Sequence, residues 1–534
     1  AFDHSYPHCW RCHNPVIFLA TAQWFIAMDR AQFRERALEA VRGVSWVPAW
    51  GIDRISNMLA ARPDWCISRQ RAWGVPIPAV DCAKCGEAVM TPELVERTAA
   101  VFAEHGADAW YERPIEEFVP EGLTCASCGN ATFTRESNIL DVWFDSGSSH
   151  EGVLAVRPEL TWPADMYLEG SDQHRGWFHS SLLVALGTRG RAPYRTVLTH
   201  GFVVDGDGRK MSKSLGNTVE PQQVIAQHGA EILRLWVAMV DYREEIRLSK
   251  EILARVVEVY RKLRNTLRYL VANLYDFDPA TDRVPVEAMP EVDRYALSAY
   301  ARAARRILGA YETFDYPAAS QAVNALATID LSAFYFDVSK DRLYTYGATS
   351  SARRAAQTAM FDIADGLVRL IAPILPVTAD ELWRTLPGSR SESVHLADFP
   401  AADWPRNDAL DARWERLIGL REQVNGAIEL VRQQKVVGTS LEARVTLRVG
   451  TELAAFLAPY REDLPMLFIV SQVSVEPADD EQPDSLTVSV ARAEGTRCVR
   501  CWRYVSEVAA AEALAGLCER CVDAVGELAG AQAP

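Results

Sequence analysis

Two lysines three positions apart stand in a stretch that can bind a chain of phosphates. Lys210 and Lys213 belong to the run Lys-Met-Ser-Lys-Ser at 210–214, with glycines on both sides. Mobile ammonium groups beyond a strand end suit a polyphosphate, because they gather around negative charge as it develops in a transition state. The ordinary alternative for a bare pair of lysines is a solvated basic loop. We take both lysines as candidate phosphate-binding residues.

A second polar cluster follows a strand that is predicted to end near residue 170. Its members are Glu169, Gly170, Asp172, Gln173 and His174. Side chains at the carboxyl end of a strand face the crevice of an open α/β sheet, where nucleotides bind. Asp172 or His174 alone would more often cap a helix or lie at the surface. Grouped in this way, these residues predict a site that recognises a ribose and an ammonium group.

Ten of the eleven cysteines fall in Cys-x-x-Cys pairs, at residues 9/12, 82/85, 125/128, 498/501 and 518/521. Two thiolates three positions apart on a tight turn supply two corners of a zinc tetrahedron. A redox motif is the competing interpretation, but it predicts one pair after a strand rather than five pairs. This cysteine usage indicates a reducing compartment, which is typical of the cytoplasm.

Two closed zinc sites are predicted from four of these pairs. The pairs at 82/85 and 125/128 each end in glycine, and we interpret 81–135 as a zinc-ribbon insertion. The last two pairs are separated by sixteen residues, a spacing that fits another four-thiolate site. The predicted ligands are Cys82, Cys85, Cys125, Cys128, Cys498, Cys501, Cys518 and Cys521.

The elements that must position these residues follow from the local pattern. Valines at 203–204 predict a strand end, and the Asp-Gly-Asp-Gly run after them predicts a turn. The segment 166–186 is typical of a strand, a glycine turn and a helix. Beyond Pro221 the apolar spacing becomes helical, most regularly over 250–275, and over 441–490 it alternates as in strands.

The length and net charge of the chain limit its number of domains and the kind of RNA-binding surface that it can have. A chain of 534 residues is too long for one core and predicts three or more domains. The net charge of −15 excludes a wholesale basic coat, so any RNA binding must use local basic faces. No apolar run approaches the roughly 20 residues that span a bilayer, so no membrane association is expected.

Four segments together resemble one family. They are WCISRQRAWGVPIP at 65–78, DVWFDSGSSH at 141–150, LEGSDQHRGWF at 168–178 and KMSKS at 210–214. These segments are similar to the C-terminal part of bacterial isoleucyl-tRNA synthetases, which are class I aminoacyl-tRNA synthetases. The closing cysteine pairs agree with that family. The resemblance covers essentially the whole chain and implies that the chain is the C-terminal part of a longer protein.

The resemblance implies a fold and a domain order. We expect a partial α/β Rossmann-like catalytic domain with the zinc-ribbon insertion, then an α-helical anticodon-binding bundle, a small α+β module and a C-terminal zinc knuckle. The expected bounds are 1–225 for the catalytic part, 226–290 for a helical connector, 291–440 for the anticodon-binding helices, 441–492 for the small module and 493–534 for the zinc finger.

The resemblance also implies roles for individual residues. The residues implied to surround isoleucyl-adenylate are Glu169, Gly170, Asp172, Gln173 and His174, and those implied to wall the isoleucine pocket are Trp143 and Trp177. The residues implied to bind ATP are His200, Gly201, Lys210, Ser212, Lys213 and Ser214. Of these, the two lysines would act catalytically, by stabilising the pentavalent transition state at phosphorus.

The implied reaction begins with attack of the isoleucine carboxylate on the α-phosphate of ATP, with Mg²⁺ shielding the triphosphate. Isoleucine is then transferred to the terminal adenosine of tRNA(Ile). Positioning and charge stabilisation carry both steps, so no general base from the protein is required. Two structural zinc ions, a monomeric state and a cytoplasmic location complete what the resemblance implies.

Two features depart from that family. The sequence contains no His-x-Gly-His, the other ATP motif of the family, and it has no editing domain. We therefore expect this chain alone to activate isoleucine poorly or not at all. One alternative is a non-catalytic, zinc-containing tRNA-binding protein, but it does not explain KMSKS and LEGSDQHRGWF together. The other is a valine- or leucine-specific ligase, against which the closing cysteine pairs argue.

Overall fold

A computed structural model describes the backbone of residues 5–9, 11–212, 215–401, 407–478 and 482–531. The chain divides into two compact units. The N-terminal unit comprises Ala1–Phe202 and Tyr242–Glu245, and the C-terminal unit comprises Val203–Asp241 and Ile246–Pro534. The run at 210–214 therefore belongs to the C-terminal unit, although it lies within the expected catalytic segment.

The N-terminal unit is built on short strands and six α-helices. Its strands are β1 (Phe25–Ile26), β2 (Ser45–Val47), β3 (Trp65–Cys66), β4 (Ser68–Arg69), β5 (Val80–Cys82), β6 (Ala88–Val89), β7 (Phe133–Arg135), β8 (Ile139–Leu140), β9 (Ala164–Gly170) and β10 (Tyr194–His200). Its helices among the described residues are α1 (Phe33–Arg42), α2 (Gly51–Ala60), α3 (Pro92–His105), α4 (Ala109–Glu112), α5 (Val142–Gly147) and α6 (Trp177–Arg189).

A three-stranded parallel sheet forms the core of this unit. β10 lies in the centre, with β2 on one side and β9 on the other. Val197 is wholly buried and packs in one cluster with Val41 of α1, Ile55 of α2 and Leu182 of α6. Helices cover a parallel sheet in this way because its strands bury apolar residues. The predicted α/β catalytic fold is confirmed.

The predicted zinc-ribbon insertion at 81–135 has a small core of its own. β5 pairs with β6 and β7 in an antiparallel sheet. Thr91 caps α3, because its hydroxyl accepts a hydrogen bond from the Leu94 N–H at 3.2 Å. The rings of Trp110 and Phe118 are wholly buried and meet edge to face, with centroids 4.9 Å apart.

The C-terminal unit is mainly helical. Its α-helices among the described residues are α7 (Pro221–His228), α8 (Ala230–Met239), α9 (Lys250–Ala272), α10 (Glu291–Glu312), α11 (Tyr316–Ala325), α12 (Phe336–Thr345), α13 (Ser351–Ile371), α14 (Pro376–Trp383), α15 (Asp408–Gln433), α16 (Thr451–Leu457), α17 (Leu464–Phe468) and α18 (Glu519–Ala531). Its strands there are β11 (Val203–Val204), β12 (Ile246–Arg247), β13 (Ala443–Val449), β14 (Gln472–Pro477), β15 (Leu486–Arg492), β16 (Thr496–Arg497) and β17 (Tyr504–Val505).

A buried ion pair joins two of the helices. Asp293 of α10 accepts two hydrogen bonds from the Arg342 guanidinium of α12, both at 2.7 Å, and a third from the Tyr335 hydroxyl at 2.7 Å. Asp293 is wholly buried, and the Arg342 side chain is 5% exposed. The pair is bidentate, the geometry that best offsets the removal of both charges from water.

Beyond α15, buried and more exposed residues alternate along a strand, as the sequence predicts. β13 is the central strand of a three-stranded sheet, parallel to β14 and antiparallel to β15. Ala443, Val445, Leu447 and Val449 are buried, while the residues between them are less buried. The short pair β16–β17 and helix α18 follow. Among the described residues, no helix combines the length and apolarity needed to cross a bilayer.

Candidate functional site

The carboxyl ends of β9 and β10 place several predicted substrate residues side by side. In the parallel register, Thr199 pairs with Glu169 and His200 pairs with Gly170. Glu169 is exposed, and so is Asp172 in the turn that follows β9. The two carboxylates and the His200 imidazole therefore border the same end of the sheet, where open α/β folds bind nucleotides.

Two glycines allow this close approach. A Cβ atom on Gly170 would lie 2.9 Å from Oδ1 of Asp172, and a Cβ on Gly201 would overlap the carbonyl oxygen of Glu244. The Gly201 N–H donates to the Tyr242 carbonyl at 2.8 Å, which ties the end of β10 to that segment. A side chain at Gly201 would push the chain away from the strand end, whereas one at Gly170 would displace the Asp172 carboxylate.

The two predicted pocket tryptophans both lie near the start of α6. Trp177 stacks on Tyr167 with ring centroids 3.9 Å apart, and its indole N–H donates to the Ser146 carbonyl at 2.9 Å. Trp143 is 43% exposed, and its ring lies 2.7 Å from where a Cβ on Gly176 would stand. Trp177 is therefore rigidly held, whereas part of the Trp143 ring is open to a ligand.

Gln173 organises the turn before α6. Its Oε1 accepts a hydrogen bond from the Trp177 backbone N–H at 2.9 Å, and its amide donates to Asp172 at 3.0 Å. Gln173 thus begins helix α6 and orients the exposed carboxylate at the same time. Both actions are local, and direct contact of Gln173 with a substrate stays a prediction.

The structure places His174 differently from the position that the sequence indicated. The ring is wholly buried between Trp46 and Trp50, with centroids at 5.8 and 5.5 Å. Its Nδ1 lies 3.1 Å from the Ser171 carbonyl, and burial lowers its pKa, so the imidazole is neutral. In this conformation the His174 ring packs beneath the turn, against the two tryptophans, and has no exposed surface that could contact a ribose.

The predicted phosphate-binding run is anchored by a carboxylate that we did not single out from the sequence. Asp205 accepts hydrogen bonds from the backbone N–H groups of Asp207 and Arg209 and from the Asn217 amide at 2.9 Å. These bonds, led by that of Asn217, lower the pKa of Asp205 to about 2. Its place directly after two valines and before a glycine, typical of an aspartate turn, was the available signal.

Asn217 closes this loop on itself. Its side-chain oxygen accepts from the Ser212 N–H at 2.9 Å, and its amide donates to the Lys210 carbonyl at 3.2 Å. Lys210 is exposed at the start of the loop. Lys213 and Ser214 lie outside the described residues, so their predicted roles stay predictions, as do those of Lys210 and Ser212.

The first predicted zinc site has the geometry of four converging thiols. Sγ of Cys82 lies 3.5 Å from that of Cys128, and Sγ of Cys85 lies 3.6 Å from that of Cys125. All four sulfur atoms lie within 4.8 Å of one another. Hydrogen bonds from the backbone N–H of Cys85 and its neighbours lower the pKa of Cys82 to about 6. Such a set can hold a tetrahedral zinc ion.

The second predicted zinc site is more deeply buried. All four cysteines are buried, and Sγ of Cys501 lies 3.7 Å from that of Cys518. Burial opposes the charged form of Cys498, but backbone N–H groups, first that of Cys518, lower its pKa to about 6. A buried thiolate ready to form beside three other sulfurs fits a closed structural zinc site.

The remaining cysteines form no such group in the part of the chain that the structure describes. Cys9 is half-buried and Cys12 exposed, and neither belongs to a set of three or more converging ligands there. The thiol of Cys66 donates to Gln23 at 3.5 Å. Arg69 forms an ion pair with Asp141 at 2.9 Å and so braces the start of α5.

Three family models match successive parts of the chain. Residues 11–249 match tRNA synthetases class I (I, L, M and V), residues 293–447 match the anticodon-binding domain of tRNA ligase, and residues 495–524 match a zinc finger found in FPG and IleRS. The second match begins at Asp293 of the buried ion pair. The third covers all four cysteines of the second zinc site.

Curated relatives agree with these matches. The chain is 52% identical over 519 residues to an isoleucine–tRNA ligase of Syntrophotalea carbinolica, covering 95% of this chain and 55% of that protein. It is 51% identical over 514 residues to one of Geobacter sulfurreducens, covering 95% and 56%. The chain therefore spans about half the length of the curated relatives that it matches.

A solved structure shares the fold. Methionyl-tRNA synthetase of Mycobacterium tuberculosis in complex with methionyl-adenylate superposes with a TM-score of 0.50 at 17% identity. The match covers 70% of this chain and 65% of that protein.

Proposed function

The chain belongs to the isoleucine–tRNA ligase family of class I aminoacyl-tRNA synthetases, and from that premise we propose that it takes part in activating isoleucine with ATP and transferring it to tRNA(Ile). The observation that carries the proposal is the register of β9 and β10. That register sets the exposed carboxylates of Glu169 and Asp172 beside His200 at the carboxyl end of the sheet.

Glu169 is suited to hold the ammonium group of the amino acid. Its carboxylate is exposed, and its Oε2 lies 3.3 Å from the Gly170 N–H, which leaves the other oxygen available. Asp172, oriented by Gln173, is suited to accept hydrogen bonds from a ribose. The exposed part of Trp143 and the fixed ring of Trp177 would then flank the isoleucine side chain.

The first chemical step needs charge stabilisation rather than proton transfer. An oxygen of the isoleucine carboxylate bonds to the α-phosphorus of ATP, and the bond to the bridging oxygen of pyrophosphate breaks. Lys210 and Lys213 would neutralise the charge that grows on the leaving pyrophosphate, and Mg²⁺ accompanies ATP as part of the substrate. The Asp205–Asn217 hydrogen bonds support this role, because they hold the start of the lysine loop.

In the second step a hydroxyl of the terminal adenosine of the tRNA attacks the acyl carbon, and AMP leaves. The helices over the anticodon-binding match would bind the tRNA, and each four-cysteine group would hold one structural zinc ion. Ten paired or clustered free cysteines suit a reducing cytoplasm. We further propose that the protein acts as a monomer.

The test is binding of non-hydrolysable aminoacyl-sulfamoyl adenosines to the 534-residue chain by titration calorimetry. We expect the isoleucyl compound to bind more tightly than the leucyl compound. It should also bind about 10- to 200-fold more tightly than the valyl compound, because one methylene group in an apolar pocket provides that much discrimination. Glu169→Gln should weaken all three, and Glu159→Gln, an exposed control, should weaken none. Binding of tRNA with no binding of any adenylate compound would instead support a non-catalytic tRNA-binding protein.

A further inference from the structure

A pocket of about 490 Å³ in the N-terminal unit is lined by cationic side chains. Arg54 and Arg62 lie near the two ends of α2, and Arg175 and His179 lie at the start of α6. The wall between them is formed by Asn57, Met58, Ala61 and Pro63. No residue predicted to bind isoleucine or ATP lines this pocket.

Two of the three guanidinium groups lie over aromatic rings. Arg54 lies over the ring of Trp50 at 5.7 Å, and Arg62 lies over the ring of Trp65 at 5.4 Å. These cation–π contacts fix the direction of both side chains but leave their N–H groups available. Among the described residues, neither these two arginines nor Arg175 forms an ion pair with a carboxylate.

Arg62 also has an unsatisfied donor. Its Nε is buried and has no hydrogen-bond partner in the described part of the chain. Asp141, whose charge acts on Arg62, is already paired with Arg69 at 2.9 Å. A buried N–H group without a hydrogen-bond partner is costly, and an anion in the pocket would remove that cost.

His179 gives a second and independent indication of a ligand. Its side chain is 1% exposed, yet within the described residues neither ring nitrogen has a hydrogen-bond partner. Burial, with Arg62 and Arg175 nearby, lowers the pKa of His179 to about 3, so the ring is neutral and keeps one N–H to donate.

We propose that this pocket, formed by Arg54, Arg62, Arg175 and His179, binds a phosphate group, carried either by RNA or by free inorganic phosphate. The three guanidinium forks supply only donors and the neutral imidazole supplies one N–H, and a tetrahedral oxyanion with several acceptor oxygens satisfies more of these donors than a carboxylate does. The site is separate from the carboxyl-end cluster at Glu169 and Asp172. Its use for an RNA phosphate rests on the proposed function, whereas binding of free inorganic phosphate does not.

The experiment is titration of the 534-residue chain with inorganic phosphate, and separately with a short single-stranded RNA ending in CCA. The variant Arg54→Gln/Arg175→Gln is chosen because both side chains are exposed and their loss leaves the core intact. Arg195→Gln, 66% exposed on β10, is the matched control. Acetate is titrated as a carboxylate comparator, and circular dichroism verifies that each variant is folded.

We expect the double variant to weaken binding by at least about tenfold, the value of a charge-assisted hydrogen bond, and the control to leave it unchanged. Loss of both phosphate and RNA binding supports a general phosphate site, and loss of RNA binding alone assigns the phosphate to RNA. Equal affinities of the double variant and the wild-type chain for both probes would overturn the proposal. Acetate binding as tight as phosphate binding would also overturn it.

Discussion

Replacing Asp293 by Asn is expected to destabilise the helical part of the C-terminal unit by about 3–5 kcal/mol, because it leaves a buried charge without its partner. Asp293 is wholly buried and takes three hydrogen bonds of 2.7 Å from Arg342 and Tyr335. Asn keeps the volume and one acceptor oxygen but not the charge. The Arg342 guanidinium, 5% exposed, then loses the carboxylate with which it is paired.

Native-state hydrogen exchange of amides in α10 and α12, read by mass spectrometry, measures this loss where it occurs. Glu258→Gln is the matched control in the same unit, since Glu258 pairs with Arg261 at 2.7 Å but the side chains are 60% and 67% exposed. The control should change stability by less than about 1 kcal/mol. Adding Arg342→Met to Asp293→Asn should restore much of the stability, because it removes the unpaired charge.

Equal losses for the buried and the exposed pair would refute this reasoning. So would a double variant that is less stable than Asp293→Asn alone. Either result would mean that packing around the pair, rather than its charge, sets the stability of these helices. The match to anticodon-binding domains begins at Asp293, so the same variants also test whether this pair holds the helices of that match together.

Four further outcomes are expected. Gly201→Ala should displace the end of β10, because a Cβ there overlaps the Glu244 carbonyl, and crystallography or a lowered melting temperature would reveal it. The unfolded-state pKa of His179 is near 6.5 and its folded pKa is about 3, so stability is unaffected above pH 6.5 and falls below it. The wild-type chain should therefore lose about 2 kcal/mol of its free energy of unfolding on going from pH 6.5 to about pH 5. His179→Gln should not show this loss in urea titrations. Asp205→Ala should loosen the lysine loop and raise its amide exchange rate, whereas Asp207→Ala should not. Mass spectrometry should find about two zinc ions per chain, falling by one on Cys498→Ser and by one on Cys82→Ser.

The sequence predicted the elements whose signals are local. The cysteine spacing identified both four-thiol groups, because ligand geometry on a tight turn requires that spacing. Apolar periodicity predicted a helix over 250–275, and the structure has α9 at Lys250–Ala272. Alternation likewise predicted the strands of the small module. Each signal depends on neighbours within a few positions, so no knowledge of the fold was needed.

The placement of individual polar side chains could not be predicted in the same way. His174 stands beside exposed carboxylates in the sequence, yet the turn after β9 directs its ring between Trp46 and Trp50. The pairing of Asp293 with Arg342 spans 49 residues and has no local signature. The pocket at Arg54 and Arg175 likewise forms only when α2 packs against the turn before α6. The position of the His174 ring, the Asp293–Arg342 pair and this pocket all depend on contacts between elements that are distant in the sequence.

The most direct test of the proposed function is a crystal structure of the chain with the isoleucyl-sulfamoyl adenosine. We expect the ammonium group of the compound within hydrogen-bond distance of the Glu169 carboxylate, and its side chain between Trp143 and Trp177. The ribose should lie beside Asp172, at the carboxyl ends of β9 and β10. A compound bound elsewhere on the chain, or with its ammonium group away from Glu169, would contradict the proposed site.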